Sequence, residues 1–258
     1  MVMLKGIDIS EHNGEINWAK TSRKVDFAII RLGYGPANHA DAKAQYNLQM
    51  CEKYGVKYGA YWFSYAANPD EAIIEANNAI SQLNGLIPDY PIAFDFEYDS
   101  DSYLERNRAL KLSNNARANI AKAFCNQIKA RGYEAMLYTN YDYYAHKGFN
   151  LVKDIPLWFA YWGDEQPPVP WYIWQATSTG YIDGISGNVD LNYIDTKYAT
   201  SKKSIDDILK NFKDKYIKIA NDIIAGKYGN GADRIEAMRK LGVDYYIAQA
   251  FVNNILGY

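Results

Sequence analysis

Cysteine and histidine are scarce here, with two of the first and three of the second among 258 residues. Cys51 and Cys125 both fall in stretches with helical periodicity, so free buried thiols are expected rather than a disulfide framework. His12, His39 and His146 are scattered and match no metal-ligand spacing, so neither a metal nor a cofactor is expected. No apolar run reaches spanning length, and Met1 to Leu4 lead straight into a strand-like segment. Membrane insertion and a secretory signal are therefore not expected, which places synthesis in a cytoplasm. Charge of one sign is also lacking: the formal net charge of −2 gives no reason to expect nucleic acid as partner. The balance is uneven, net +3 from Ser201 onward and net −5 before it, and a mildly basic C-terminal piece suits an anionic surface such as a bacterial envelope.

What the chain has in excess is tyrosine: 24 residues, with 6 Trp and 9 Phe. Rings cluster at Tyr61-Trp62-Phe63-Ser64-Tyr65, Trp158-Phe159-Ala160-Tyr161-Trp162 and Trp171-Tyr172-Ile173-Trp174. Amphipathic rings of this kind stack on the apolar faces of sugars, and they also fill cores; for the clusters taken together the two readings are even.

The most informative stretch is Pro91-Ile-Ala-Phe-Asp-Phe-Glu97, a strand-like apolar run ending in two carboxylates. Residues two apart on a strand project to one face, about 6.6 Å apart. Burial and mutual repulsion raise at least one pKa of such a pair, leaving one acid protonated beside one ionised, the equipment for cleaving a glycosidic bond. The alternative is a strand end where polar residues simply begin. Other strand-like runs are expected at Lys5–Ser10, Phe27–Gly33, Lys57–Ser64, Glu134–Asn140, Pro156–Trp162, Tyr172–Thr177 and Val189–Tyr193. Helical patterns fill Asp41–Tyr54, Asp70–Leu83 and Asn114–Arg131, with shorter ones near Ile16–Arg23 and Tyr141–His146. Strands alternating with helices predict an α/β fold, a closed parallel barrel irregular in its last part. In such barrels chemistry sits at the C-terminal strand ends. Asp8, Asp95, Glu97 and Asp190 then gather at one mouth, with Asp8 and Asp190 side by side because first and last strands are neighbours on closure.

After Tyr198 the composition changes. Residues 199–204 read as a linker, and apolar positions from Ile205 to Ile223 recur at helical spacing. A turn at Gly229-Asn-Gly231, a second helix stopped by Gly242, and a third capped by Asp244 complete a small all-α three-helix unit. The expected divisions are a barrel over 1–198, a linker or helical extension over 199–215, and the helical unit over 216–258.

The motifs Lys5-Gly-Ile-Asp-Ile-Ser10, Ile29-Ile-Arg-Leu-Gly-Tyr-Gly35, Tyr58-Gly-Ala-Tyr61, Ile92-Ala-Phe-Asp-Phe-Glu97, Leu137-Tyr-Thr-Asn140, Leu157-Trp158, Ile173-Trp-Gln175 and Val189-Asp-Leu-Asn192 resemble, in their order, family-25 glycoside hydrolases, the Chalaropsis-type lysozymes, many of them phage endolysins. The resemblance covers about Met1 to Tyr198. It implies an irregular TIM-like (βα)5β3 barrel and a muramidase cleaving the β-1,4 bond between N-acetylmuramic acid and N-acetylglucosamine of bacterial peptidoglycan. It implies Glu97 as proton donor, Asp95 as holder of the acetamido group, and Asp8 and Asp190 as the rest of the acidic pocket. Tyr34, Tyr61, Tyr138, Trp158 and Gln175 are the motif positions implied around the sugar, with core packing an alternative for Trp158. An endolysin of this kind would be made in the host cytoplasm and act on the wall after release. The family-18 chitinases, another D-x-E barrel family, carry Asp where this chain has Ala93 and Tyr90, which argues against that assignment. The tail from Tyr216 to Tyr258 is similar to a small cell-wall-binding repeat of some pneumococcal phage lysozymes. The rival readings are a non-catalytic glycan-binding barrel and a tail that serves oligomerisation; the sequence is silent on oligomeric state.

Overall fold

The computed structural model describes residues 3–163, 165–195, 205–241, 243 and 245–257. In chain order its elements are β1 (Met3–Ile9), α1 (Trp18–Thr21), β2 (Phe27–Tyr34), β3 (His39–Ala40), α2 (Ala44–Tyr54), β4 (Lys57–Phe63), α3 (Pro69–Gln82), β5 (Ile92–Asp95), α4 (Tyr98–Arg108), α5 (Asn114–Ala130), β6 (Ala135–Asn140), α6 (Tyr141–His146), β7 (Leu157–Ala160), β8 (Ile173–Gly180), β9 (Val189–Asp195), α7 (Ile205–Ile224), α8 (Ala232–Lys240) and α9 (Tyr245–Leu256). The eight expected strands all form. The sheet runs β1-β9-β8-β7-β6-β5-β4-β2, and a β1–β2 pairing closes it into a barrel.

Three features depart from the expected parallel barrel. First, β9 is antiparallel to both β1 and β8. The reason is the short connection over residues 181–188, because a parallel return needs a crossover of a dozen residues or more. Second, β5 stops at Asp95, and Glu97 takes the extended backbone of a helix N-cap, φ −131° and ψ −169°, where its N–H meets Ser100 Oγ at 3.1 Å. That cap starts α4, a helix with no apolar stripe, in which only Ser100 and Leu104 are buried. Third, the two-residue β3 pairs with the end of β2.

Alternation along the strands builds two cores. One parity points outward, where Ile7, Ile30, Trp62, Phe94, Leu137 and Phe159 pack beneath the helices. The other points inward, and Ile29, Tyr61, Ala93, Met136, Trp158, Ile173 and Ile194 fill the barrel. The floor is closed by Phe27: a Cβ at Gly6 would collide with its ring, and Tyr90 packs on it with centroids 5.4 Å apart. Asp8 is the next inward residue above Gly6, so its carboxylate sits on a plugged barrel rather than in a pore. Cys51 and Cys125 are buried free thiols.

The C-terminal helices have a core of their own, in which Tyr216, Ile219, Ile223, Met238, Val243 and Val252 are buried together and Tyr216 stacks on Phe251 at 5.5 Å. The expected linker at 199–204, the stop at Gly242 and the cap at Asp244 lie outside the described residues. Among the described residues, no helix is long and apolar enough to cross a membrane.

A further buried acid lies on α3, beside the chain that follows β4. Glu75 on α3 accepts Tyr65 N at 2.8 Å, while its other oxygen is buried with no hydrogen-bond partner among the described residues. Burial pushes its pKa up to about 8, against hydrogen bonds from Ser64 and Tyr65. Between its ordinary range and pH 8 the folded chain holds a proton that the unfolded chain has lost, so this group's contribution to stability declines as pH rises. Glu75→Gln keeps the acceptor for Tyr65 and removes that titration. The variant should melt higher than wild type at pH 9 and lose the advantage by pH 5; melting temperatures across that range check it, and a pH-independent difference would refute it.

Candidate active site

The inward parity that fills the barrel also aims the candidate residues at its open end. Counting up each strand from the apolar plug gives Asp8 on β1, Arg31 on β2, Tyr61 on β4, Asp95 on β5, Tyr138 on β6, Trp158 on β7, Gln175 on β8, and Asn192 and Asp190 on β9. Asp190 lies at the start of its strand, not at a C-terminal end, because β9 runs downward; register still pairs it directly with Asp8. The antiparallel strand therefore delivers an acid to the mouth from the opposite chain direction.

The four acids gather as two neighbouring pairs: Asp8 faces Asp190 directly in the β1–β9 register, and Asp95 and Glu97 stand two residues apart at the end of β5, each shifting the titration of the other. The 6.6 Å expected from strand spacing does not carry over to the second pair, because β5 ends at Asp95 and Glu97 lies beyond it as the N-cap of α4. Asp8 and Asp95 are buried, and Glu97 and Asp190 half-buried. Burial raises all four pKa values. For Asp8 the charge of Asp190 adds to the rise, and for Asp95 the charges of Glu97 and Asp8 do, with Arg31 opposing. Glu97 is pushed up to about 7, first by burial and then by Asp99 and Asp190, while its bond to Asp95 pulls the other way. An acid with that pKa gives up a proton readily near neutral pH, the property a general acid needs. Asp95 Oδ1 is buried with no hydrogen-bond partner among the described residues.

Asp8 is held by two amides. Its Oδ2 accepts Asn192 Nδ2 at 2.7 Å and Gln175 Nε2 at 3.0 Å. Each amide is in turn oriented by a donor on its own oxygen: Trp158 Nε1 reaches Asn192 Oδ1 at 2.7 Å, and Tyr138 Oη and Trp162 Nε1 both reach Gln175 Oε1 at 3.1 Å. These bonds favour the ionised form of Asp8 and oppose the effect of burial.

Of the residues expected around a sugar, Tyr61, Tyr138, Trp158 and Gln175 converge below the acids. Trp158 is buried between the edges of Tyr61 and Tyr138, with centroids at 5.7 and 4.7 Å. Tyr34 stands apart on the rim, after a register shift in β2, stacked on His39 at 5.0 Å and with the Arg31 guanidinium 5.8 Å from its ring.

Sequence reasoning did not single out Asn192 or Arg31, and it offered Trp162 only as a member of an aromatic cluster. Strand parity was the available signal for Asn192, two residues after Asp190, and for Arg31, two after the inward Ile29. Arg31 is buried, with Nε on Asp41 at 2.7 Å and Nη2 on Glu11 at 3.0 Å. Among the described residues, no group of three or more His, Cys, Asp or Glu has the arrangement of a metal site.

A family model described as glycosyl hydrolases family 25 matches residues 7–185, and a CW_7 repeat model matches residues 218–256. The chain is similar to Lysozyme M1 of Streptomyces globisporus, 28% identical over 202 residues that cover 73% of this chain and 67% of that one. It is similar also to the autolytic lysozyme of Clostridium acetobutylicum, 26% identical over 192 residues, 73% of this chain and 55% of the other. Among solved structures, the modular autolysin LytC from Streptococcus pneumoniae in complex with a synthetic peptidoglycan ligand superposes with a TM-score of 0.65 at 27% identity, covering 74% of this chain and 46% of that chain. The chain thus spans about half the length of the clostridial and pneumococcal relatives.

Proposed function

We propose that this chain, which belongs to glycosyl hydrolases family 25, is an N-acetylmuramidase that hydrolyses the β-1,4 bond between N-acetylmuramic acid and N-acetylglucosamine in peptidoglycan. The observation that carries the reading is the Asp95–Glu97 pair at the mouth of a plugged barrel, with Glu97 pushed up to about 7. Glu97 gives its proton to the leaving oxygen as the bond to the anomeric carbon breaks, and a water molecule supplies the hydroxyl that replaces it, its other proton returning to the Glu97 carboxylate. Asp95 accepts the acetamido N–H through its unpartnered Oδ1, holding that group where its oxygen can assist at the anomeric carbon. Asp8 and Asp190 complete the negative pocket that stabilises positive charge on the sugar. Tyr61, Tyr138 and Gln175 shape the floor, Trp158 supports them from beneath, and Tyr34 extends the rim.

The tail over 216–258, which carries the CW_7 match and its own apolar core, anchors the enzyme to the wall and raises the local substrate concentration. Lysis of a bacterial host from within, as an endolysin acts, suits this pairing of a muramidase barrel and a wall anchor.

The test is mass spectrometry of fragments released from purified walls. A muramic acid at the new reducing end is expected, and N-acetylglucosamine there would overturn the bond assignment. Walls stripped of N-acetyl groups should resist digestion; equal cleavage of both wall types would remove the acetamido role of Asp95.

A further inference from the structure

Trp162 is an exposed aromatic that the acid pairs leave unexplained. It follows β7 at the mouth and is 63% exposed, yet the backbone on both sides of it is fastened to β8. Tyr161 N donates to Gln175 O and Gly163 N to Ala176 O, each at 3.0 Å, and Trp174 Nε1 donates to Tyr161 O at 2.7 Å. The indole N–H points inward onto Gln175 Oε1. A large ring with its polar edge committed to a buried amide, its backbone fixed and its flat face in water is pre-organised for contact with an apolar surface.

The buried amide matters for chemistry because Gln175 can turn either end toward Asp8. Only the NH2 end favours a carboxylate. Two donors on Oε1, Tyr138 and Trp162, select that orientation.

We propose that Trp162 is a specificity-determining and positioning residue: its exposed face stacks on a pyranose ring of the glycan strand, and its N–H holds the Gln175 amide that holds Asp8. The proposal rests on the muramidase reading above. It makes the sugar platform and the charge state of Asp8 share one side chain, so that filling the rim steadies the amide beneath the reacting sugar.

The experiment compares the full-length wild type, Trp162→Phe and Trp162→Ala on a soluble peptidoglycan fragment across pH. Release of new reducing ends by the wild type tests the muramidase reading by itself, so failure there is distinct from failure of the role of Trp162. Trp162→Phe keeps a ring and loses the donor. Its KM should stay near wild type, while kcat falls several-fold and the acidic limb of the pH profile moves to higher pH, because Asp8 is less well held as an anion. Trp162→Ala should show the same kcat loss and limb shift, with KM raised roughly tenfold, the scale of one aromatic contact. Unchanged melting temperatures, expected for an exposed site, rule out a folding effect. Wild-type KM in Trp162→Ala overturns the platform; wild-type kcat and pH profile in Trp162→Phe overturn the positioning role.

Discussion

Glu97→Gln should remove about 10²- to 10⁴-fold of the turnover on purified walls, the usual contribution of a positioned general acid. The amide matches the carboxyl in shape and has no proton of comparable acidity to give. The fold should survive, because the contact that starts α4 is the backbone N–H of Glu97 on Ser100, which the substitution leaves in place. Stability should hold or rise, since one acid is removed from a cluster that already raises the pKa of each member. The wild type carries a second signature. With Glu97 at about 7, kcat/KM should fall as pH rises through neutrality, because the donor loses its proton there. A variant that keeps more than about a tenth of wild-type turnover, where catalysis of this kind is worth at least about 10², would take the donor role away from Glu97.

The sequence disclosed those residues whose chemistry is conspicuous and whose placement follows from period two. Asp8, Asp95 and Asp190 were legible because a carboxylate on an apolar strand is anomalous in any register. The pairing of Asp8 with Asp190 follows from barrel closure alone, whereas the expected irregularity of the last part takes the form of an antiparallel β9. Its short link over residues 181–188 contained the answer, since so little chain cannot bring a strand back parallel. Less legible were elements whose stability is not apolar. Helix α4 has no hydrophobic stripe to find, and is defined by its cap and the few side chains it buries. Asn192 and Arg31 were hidden for a related reason: an amide or a guanidinium in a strand carries no signal until the groups it meets are known. Trp162 was visible as part of a cluster, but only the three-dimensional contacts separate it from its neighbours. Trp158, Tyr161 and Trp162 read alike in sequence, yet Trp158 is buried and Trp162 is not.

Arg31→Met should have the largest effect on the fold. The guanidinium is the cation that opposes the rise in the Asp95 pKa, and it also ion-pairs with both Asp41 and Glu11. The Asp41 side chain is fully buried and also accepts Glu11 N at 3.0 Å and Lys43 N at 2.9 Å, so it cannot turn out to water without undoing the loops after β1 and β3. Methionine fills the volume and leaves these carboxylates without a countercharge. Breaking a buried pair by deleting one partner costs about 3–5 kcal/mol, against about 1 kcal/mol or less for an exposed one. The deficit should grow as pH rises, because Asp95 must then ionise without the guanidinium that favours its charged form, and shrink as pH falls. Arg31→Lys should recover only part of it, since one ammonium cannot reproduce two donors fixed in a planar fork. Activity should fall as well, with the acidic limb displaced to higher pH because Asp95 loses its countercharge. Denaturant melts of the three proteins at several pH values measure the loss and its slope together. A loss of about 1 kcal/mol or less, flat in pH, would mean that Arg31 behaves as a surface cation and that the mouth is balanced by something other than this bridge.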